Sequence, residues 1–236
     1  MENKQSICLI TGASSGIGLA IAKALQKDNH KLIITARREE RMKELKSSFA
    51  DIVKGDLTSY DFQDSLVEFV FKKYGKCDYL FNCAGSMAVG SIEEIDIEKM
   101  TSMLRLNVEA TVRLTYLILR RFKQQGSGHI INISSVLGTK IRPTAGAYAA
   151  SKFAMEALSE ALRMELAGSD IKISCIEPGL VITELHNDWA IHPKDSMNIK
   201  DPLQPIDIVD MVKFIMNQPS HIRIPRLMIL PKDHVI

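Results

Sequence analysis

Ile7-Cys8-Leu9-Ile10-Thr11-Gly12-Ala13-Ser14-Ser15-Gly16-Ile17-Gly18 runs directly into Leu19-Ala20-Ile21-Ala22-Lys23-Ala24-Leu25. A short β-branched run, a turn with three glycines and apolar residues at three- and four-residue spacing predict strand, tight turn and helix, in that order. Glycine lets the backbone turn sharply and approach a pyrophosphate, and the unpaired N–H groups at a helix start favour its negative charge. Any tight strand-to-helix connection uses glycine as well; the place of this one, straight after the first strand, points to a nucleotide.

The alternation continues along the chain. Short apolar runs at Leu32 to Thr35, Asp51 to Lys54, Tyr79 to Asn82, His129 to Ile133, Lys172 to Ile176 and Leu227 to Leu230 join Ile7 to Ile10 as predicted strands, apolar on both faces. Helical periodicity covers Gly16 to Lys27, Glu39 to Ser47, Tyr60 to Lys73, Ile97 to Phe122, Tyr148 to Leu166 and Ile206 to Met216. Strands alternating with helices predict an α/β fold: a Rossmann-like, doubly wound parallel sheet of about seven strands with helices on both faces. The stretch from Thr183 to Pro205, with three prolines, two histidines and Trp189, follows no period and reads as a substrate loop or lid.

The 236 residues suit one domain spanning 1–236, and 46% hydrophobic with 25% charged residues is ordinary globular composition. A formal net charge of +2 argues against a nucleic-acid partner. Cys8, Cys77, Cys83 and Cys175 stand far apart with no CxxC pair, so neither a disulfide framework nor a metal site is expected. Met1 to Gln5 has no signal-peptide core, and no apolar run approaches the ~18 residues of a membrane span. The expectation is a cytoplasmic protein that makes no membrane contact.

The glycine spacing is GxxxGxG, not the GxGxxG of the common dinucleotide fingerprint. With Asn82-Cys83-Ala84-Gly85, Asn107, Ser135, Tyr148-Ala149-Ala150-Ser151-Lys152 and Pro178-Gly179, it forms an ordered series over residues 11 to 183. That series resembles the short-chain dehydrogenase/reductase family of the TGxxxGIG and YxxxK type. The resemblance implies an oxidoreductase that interconverts a carbonyl and an alcohol of a small molecule by hydride transfer. It also implies a homodimer or homotetramer joined through the two long helices.

Within that resemblance the nucleotide falls on Gly12, Ser14, Ser15, Gly16, Ile17 and Gly18. Asp56 and Leu57 would meet the adenine, although Asp56 also reads as a turn or cap residue. Asn82, Ala84 and Gly85 would lie against the ribose, with Cys83 in the place of the family's second asparagine. Pro178, Gly179, Val181 and Thr183 would hold the nicotinamide. Strand Leu32 to Thr35 ends in Ala36-Arg37-Arg38 with no carboxylate, and a guanidinium pairs with the extra phosphate that a carboxylate repels. NADP(H) is therefore favoured over NAD(H) on Arg37; Arg38 reads equally as a ligand and as the start of a solvated charged helix.

For the chemistry, Tyr148 and Lys152 lie four residues apart on one helix face. A free phenol titrates near pH ~10 and needs positive charge beside it to work at neutrality, which Lys152 supplies. The resemblance makes Tyr148 the general acid/base, and Tyr148 and Lys152 both cofactor contacts as well. Ser135, thirteen positions before Tyr148, would bond the substrate oxygen, while Ser134 could simply end the strand. Asn107, a poor helix former inside a long apolar helix, would hold a proton-relay water. Two other readings stay open: a 3-oxoacyl carrier-protein reductase of the same family, and a non-catalytic NADP(H)-binding regulatory protein. Ser86 to Ile92 and the lid, with His186, Trp189 and His192, are the candidates for substrate contact.

Overall fold

The period-two alternation of the first strand sets the layers. In the computed structural model, which describes residues 5–187, 189 and 191–236, strand β1 (Ile7–Thr11) is buried at every position. Ile7 and Leu9 face one core with Leu66, Leu114, Ile118 and Leu162, and Cys8 and Ile10 face another with Ile21, Leu25, Val209 and Val212. One strand thus feeds both faces of a sheet, as a central parallel strand must.

The remaining strands are β2 (Lys31–Ala36), β3 (Ala50–Lys54), β4 (Tyr79–Asn82), β5 (Ser127–Ile133), β6 (Asp170–Pro178) and β7 (Arg226–Ile229). They form one seven-stranded sheet in the order β3-β2-β1-β4-β5-β6-β7, parallel throughout. The chain winds outward from β1 to β3, then returns beside β1 at β4 and winds the other way. That reversal opens a crevice at the C-terminal ends of β1 and β4. Helices α1 (Gly16–Lys27) and α7 (Pro205–Met216) cover one face; α2 (Tyr60–Tyr74), α4 (Thr111–Gln125) and α5 (Gly146–Glu165) cover the other.

Three sequence expectations need correction. Glu39 to Leu45 is a 3-10 turn, and Ser47 bridges to Ala50. The helix expected over Ile97 to Phe122 is three pieces: α3 (Ile97–Leu104), a π-helical turn (Arg105–Ala110) and α4. Asn107 sits in that π turn, the irregularity that its poor helix propensity signals. The edge strands also depart from a double-apolar reading: β7 alternates exposed and half-buried positions, and most of β3 is half-buried. An edge has only one neighbour and less helix over it.

The segment expected to form a lid leaves the sheet after β6. Its neck is pinned by Ile182 N–H to Leu203 O (2.8 Å) and Leu203 N–H to Leu180 O (3.0 Å). Between lie a 3-10 turn (Glu184–His186) and the short helix α6 (Pro193–Ser196), in place of the aperiodic loop that the sequence suggests.

Candidate active site

A cavity of about 1250 Å³ fills the crevice and runs from Arg37 and Asp56 to Tyr148 and His186. The end where the sequence expects a nucleotide rests on glycine. Gly12 has φ +67°, and a Cβ there would sit 2.7 Å from the Ala84 backbone; a Cβ on Gly18 would meet the Gly12 carbonyl oxygen at 2.5 Å. No other side chain fits this close crossing of turn and strand. Thr11 ties the crossing together: its Oγ1 accepts from the Cys83 and Ala84 N–H groups, both at 3.1 Å. Ser15 makes no side-chain cap at the start of α1, whose first turn contains no acidic residue, so the helix start suits an anion.

Arg38, not Arg37, clasps this turn. Its guanidinium donates to Ser15 Oγ at 2.7 Å and Ser14 Oγ at 3.3 Å, and pairs with Glu184 of the lid at 3.2 Å. Arg41 bonds the same Glu184 carboxylate. Arg37 lines the cavity beside Asp56. One Asp56 oxygen accepts from the Thr58 N–H and hydroxyl, both at 2.9 Å, and these bonds, with the Arg37 charge, hold its carboxyl below the usual range. Asp56 is therefore a turn residue and a cavity residue at once.

At the other end, Tyr148 is buried among Met87, Ala88 and Met103, with Trp189 of the lid packed against the same cluster. The Lys152 ammonium lies 5.7 Å from the Tyr148 ring centroid and donates to the Ile133 carbonyl at 2.9 Å. Ser135 lines the cavity and its Oγ accepts from the Leu137 N–H at 3.1 Å. Ser134 lines it too, with an Oγ that has no partner among the described residues.

Eighteen of the nineteen residues expected to touch the nucleotide line this cavity; Asn82 does not. Its amide is spent behind the wall, donating to Thr115 (3.1 Å) and Asn132 (2.8 Å). Asn107 also stands behind the wall. It accepts from the Ser86 N–H (3.0 Å) and donates to the Ser86 carbonyl (2.9 Å) and Ser151 Oγ (3.2 Å), while Ser151 donates to the Tyr148 carbonyl (2.7 Å). Thr11 lies in the TGxxxGIG stretch and Ser151 in the YxxxK stretch, but the sequence assigns neither a role, because each acts through backbone groups that only the fold brings near. Of the lid candidates, His186 reaches the cavity and Trp189 reaches the Tyr148 cluster; His192 is spent capping α6.

Comparison with known proteins agrees with this fold. The short chain dehydrogenase family model matches residues 6–193. An uncharacterised oxidoreductase of Staphylococcus saprophyticus is 32% identical over 240 residues, covering 98% of this chain and 99% of its own. Among solved structures, the closed form of a serine dehydrogenase complexed with NADP+ superposes with a TM-score of 0.88 at 28% identity, covering 94% of both chains. A 3-ketoacyl-(acyl-carrier-protein) reductase of Brucella melitensis complexed with NADH gives 0.88 at 25% identity, over 99% of this chain and 100% of its own.

Proposed function

The chain belongs to the short-chain dehydrogenase family, and from that premise we propose that it moves a hydride between NADP(H) and the carbonyl–alcohol pair of a small molecule, with Tyr148 as the proton-transfer residue. One observation carries the reading: a single cavity joins the glycine turn to Tyr148 and Lys152. The nucleotide, when bound, supplies the hydride. Gly12 and Gly18 give its pyrophosphate a cradle that any Cβ would fill.

In the reductive direction Ser135 and Tyr148 hydrogen-bond the substrate oxygen, and Tyr148 donates its phenolic proton as negative charge develops there. Lys152 places positive charge beside the phenol that is left. Asn107 fixes the Ser86 backbone and, through Ser151, the first turn of α5, so it positions Tyr148 as well as serving the proton relay. Arg37 and Arg38 favour the 2′-phosphate of NADP(H), and the hydroxyls of Ser14 and Ser15 under Arg38 add donors to that seat. Exposed Tyr116 on α4 and Met164 on α5 suit the faces through which a homodimer or homotetramer would form, and a monomeric mass by light scattering would remove that part.

A second reading, a 3-oxoacyl carrier-protein reductase, is favoured by the likeness to the Brucella enzyme and by Lys99 and Lys140 on the cavity lining, which suit an acidic carrier. Turnover of small ketones, aldehydes and hydroxy acids, and of 3-oxoacyl thioesters with and without carrier, is measured with NADPH and NADH in parallel. The first reading expects carrier-free turnover with NADPH preferred; activity confined to the carrier-bound thioester selects the second. No activity with any of them removes both.

A further inference from the structure

Arg142 lies on the loop between the Val136–Gly138 turn and α5, six residues before Tyr148, and lines the cavity with His186 and His234. Its recorded hydrogen bond goes to the Met197 sulfur, a weak acceptor for a guanidinium, and among the described residues it pairs with no carboxylate. The two side-chain carboxylates of the cavity lining are engaged elsewhere, Asp56 with Thr58 and Glu184 with Arg38 and Arg41. The substrate end thus holds a half-buried cation without an anion of its own.

Two imidazoles share this end. His186 is 8% exposed, and its Nδ1 has no partner among the described residues; the Nδ1 of His234 has none either. A buried ring nitrogen left without a partner costs about 1–3 kcal/mol, a cost that a ligand or a water reaching it would relieve. Burial, then His192 and then Arg142, pushes His186 down to about 4; burial and then Arg142 lower His234. Both rings are therefore neutral at physiological pH, each with one N–H to donate.

The backbone holds this arrangement under strain. The Ala145 N–H bonds the Arg142 carbonyl across Pro143 and Thr144, and Thr144 has φ +64°, a region that a β-branched residue rarely enters. The Gly90 N–H bonds the Thr144 carbonyl at 2.9 Å and keeps the turn in place. His234 is admitted by Gly179, where a Cβ would come within 2.5 Å of its Nδ1.

We propose that Arg142, with the ring nitrogens of His186 and His234, seats a carboxylate of the substrate, so that this protein acts on hydroxy acids and oxo acids. A carboxylate offers two coplanar oxygens to the planar guanidinium fork and retains lone pairs for both imidazoles. Lys99 and Lys140, exposed on the cavity lining, add a positive field that draws the anion in. The substrate class rests on the hydride-transfer reading above; the carboxylate seat itself does not.

The test separates the two. Trp189, the single tryptophan, packs beside Tyr148 and reports on this end of the cavity by fluorescence. With NADP+ present, 2-, 3- and 4-hydroxybutanoate and their methyl esters are titrated into the wild type, Arg142→Gln and His186→Phe, while oxidation is followed at 340 nm. At least one acid should bind the wild type at least about tenfold tighter than its ester, and Arg142→Gln should erase that preference. His186→Phe keeps an aromatic ring against Trp189 and should weaken acid binding by a smaller factor; a melting curve shows that each variant is folded. Equal binding of acid and ester by the wild type, or an acid preference that survives in Arg142→Gln, overturns the inference, as does preferential turnover of a 3-oxobutanoyl thioester over the acid. Arg142-dependent acid binding without oxidation of any hydroxy acid keeps the seat and removes the hydride-transfer reading.

Discussion

The two ends of the cavity are built on opposite plans. At the nucleotide end the backbone makes the site: Gly12 and Gly18 allow crossings so close that an added Cβ would meet backbone atoms at 2.7 and 2.5 Å, and Thr11, Asp56, Ser14 and Ser15 already have partners within the chain. At the substrate end side chains make it, and among the described residues every unpartnered buried side-chain polar atom on the cavity lining is there: Ser134 Oγ, His186 Nδ1 and His234 Nδ1. A site that must fit one invariant molecule can be finished without it. A site defined by a particular substrate keeps its hydrogen-bonding capacity open until that substrate arrives.

The contrast can be broken most sharply where the ends meet. Tyr148→Phe should lower kcat by about 10²–10⁴-fold while leaving NADPH binding within a small factor of the wild type. Near-normal turnover would reassign the proton transfer, and lost NADPH binding would show that the ends are not separable. Next comes Gly18→Ala, whose methyl group is forced against the Gly12 carbonyl. It should cost about 1–3 kcal/mol of stability and weaken NADPH binding, both read from melts with and without cofactor. An unchanged melt would mean that the turn gives way and that the backbone plan is softer than its contacts imply.

Arg38→Ala sharpens the comparison within the nucleotide end. Losing a charged donor should reduce the NADPH-over-NADH preference in kcat/KM by roughly 10- to 100-fold, and more than Arg37→Ala does, because Arg38 already grips Ser14 and Ser15. The reverse order would return the leading role to Arg37. The smallest expected effect lies outside the cavity. Burial, then the Lys172 and Arg223 charges, hold His129 down to about 3, against about 6.5 in an unfolded chain. Between those values the unfolded state takes up a proton that the folded ring refuses, so stability falls as pH drops from about 6.5 toward 3. Melts across that range should show Tm declining, with His129→Gln flattening part of the slope; an unaltered slope assigns it to other groups.

The same contrast explains what the sequence disclosed. The strands, the glycine turn and the Tyr148–Lys152 pair were legible because each depends on local spacing: period two, period 3.6, or glycine where a Cβ cannot stand. The π turn around Asn107 showed only as one ill-suited residue in a helical pattern, since an extra residue per turn leaves no periodic trace over six positions. The parts played by Arg38 and Ser151 were not legible, because they come from partners 23 and 44 positions away. Arg142 gave no signal either. An arginine before a proline looks like any loop, and its lack of a counter-ion becomes a property only once its neighbours are known.

Cys83, which stands where the family motif has an asparagine, carries a consequence for redox behaviour. Its backbone N–H bonds Thr11, and although the residue is only half-buried in the cavity wall, desolvation pushes the thiol up to about 12; Cys77 reaches about 12, Cys175 about 11, and Cys8 is also raised. The thiolate is the form that oxidants and alkylating reagents attack, and at neutral pH these four side chains hold almost none of it. A member of an oxidoreductase family thus keeps its own sulfur out of redox exchange.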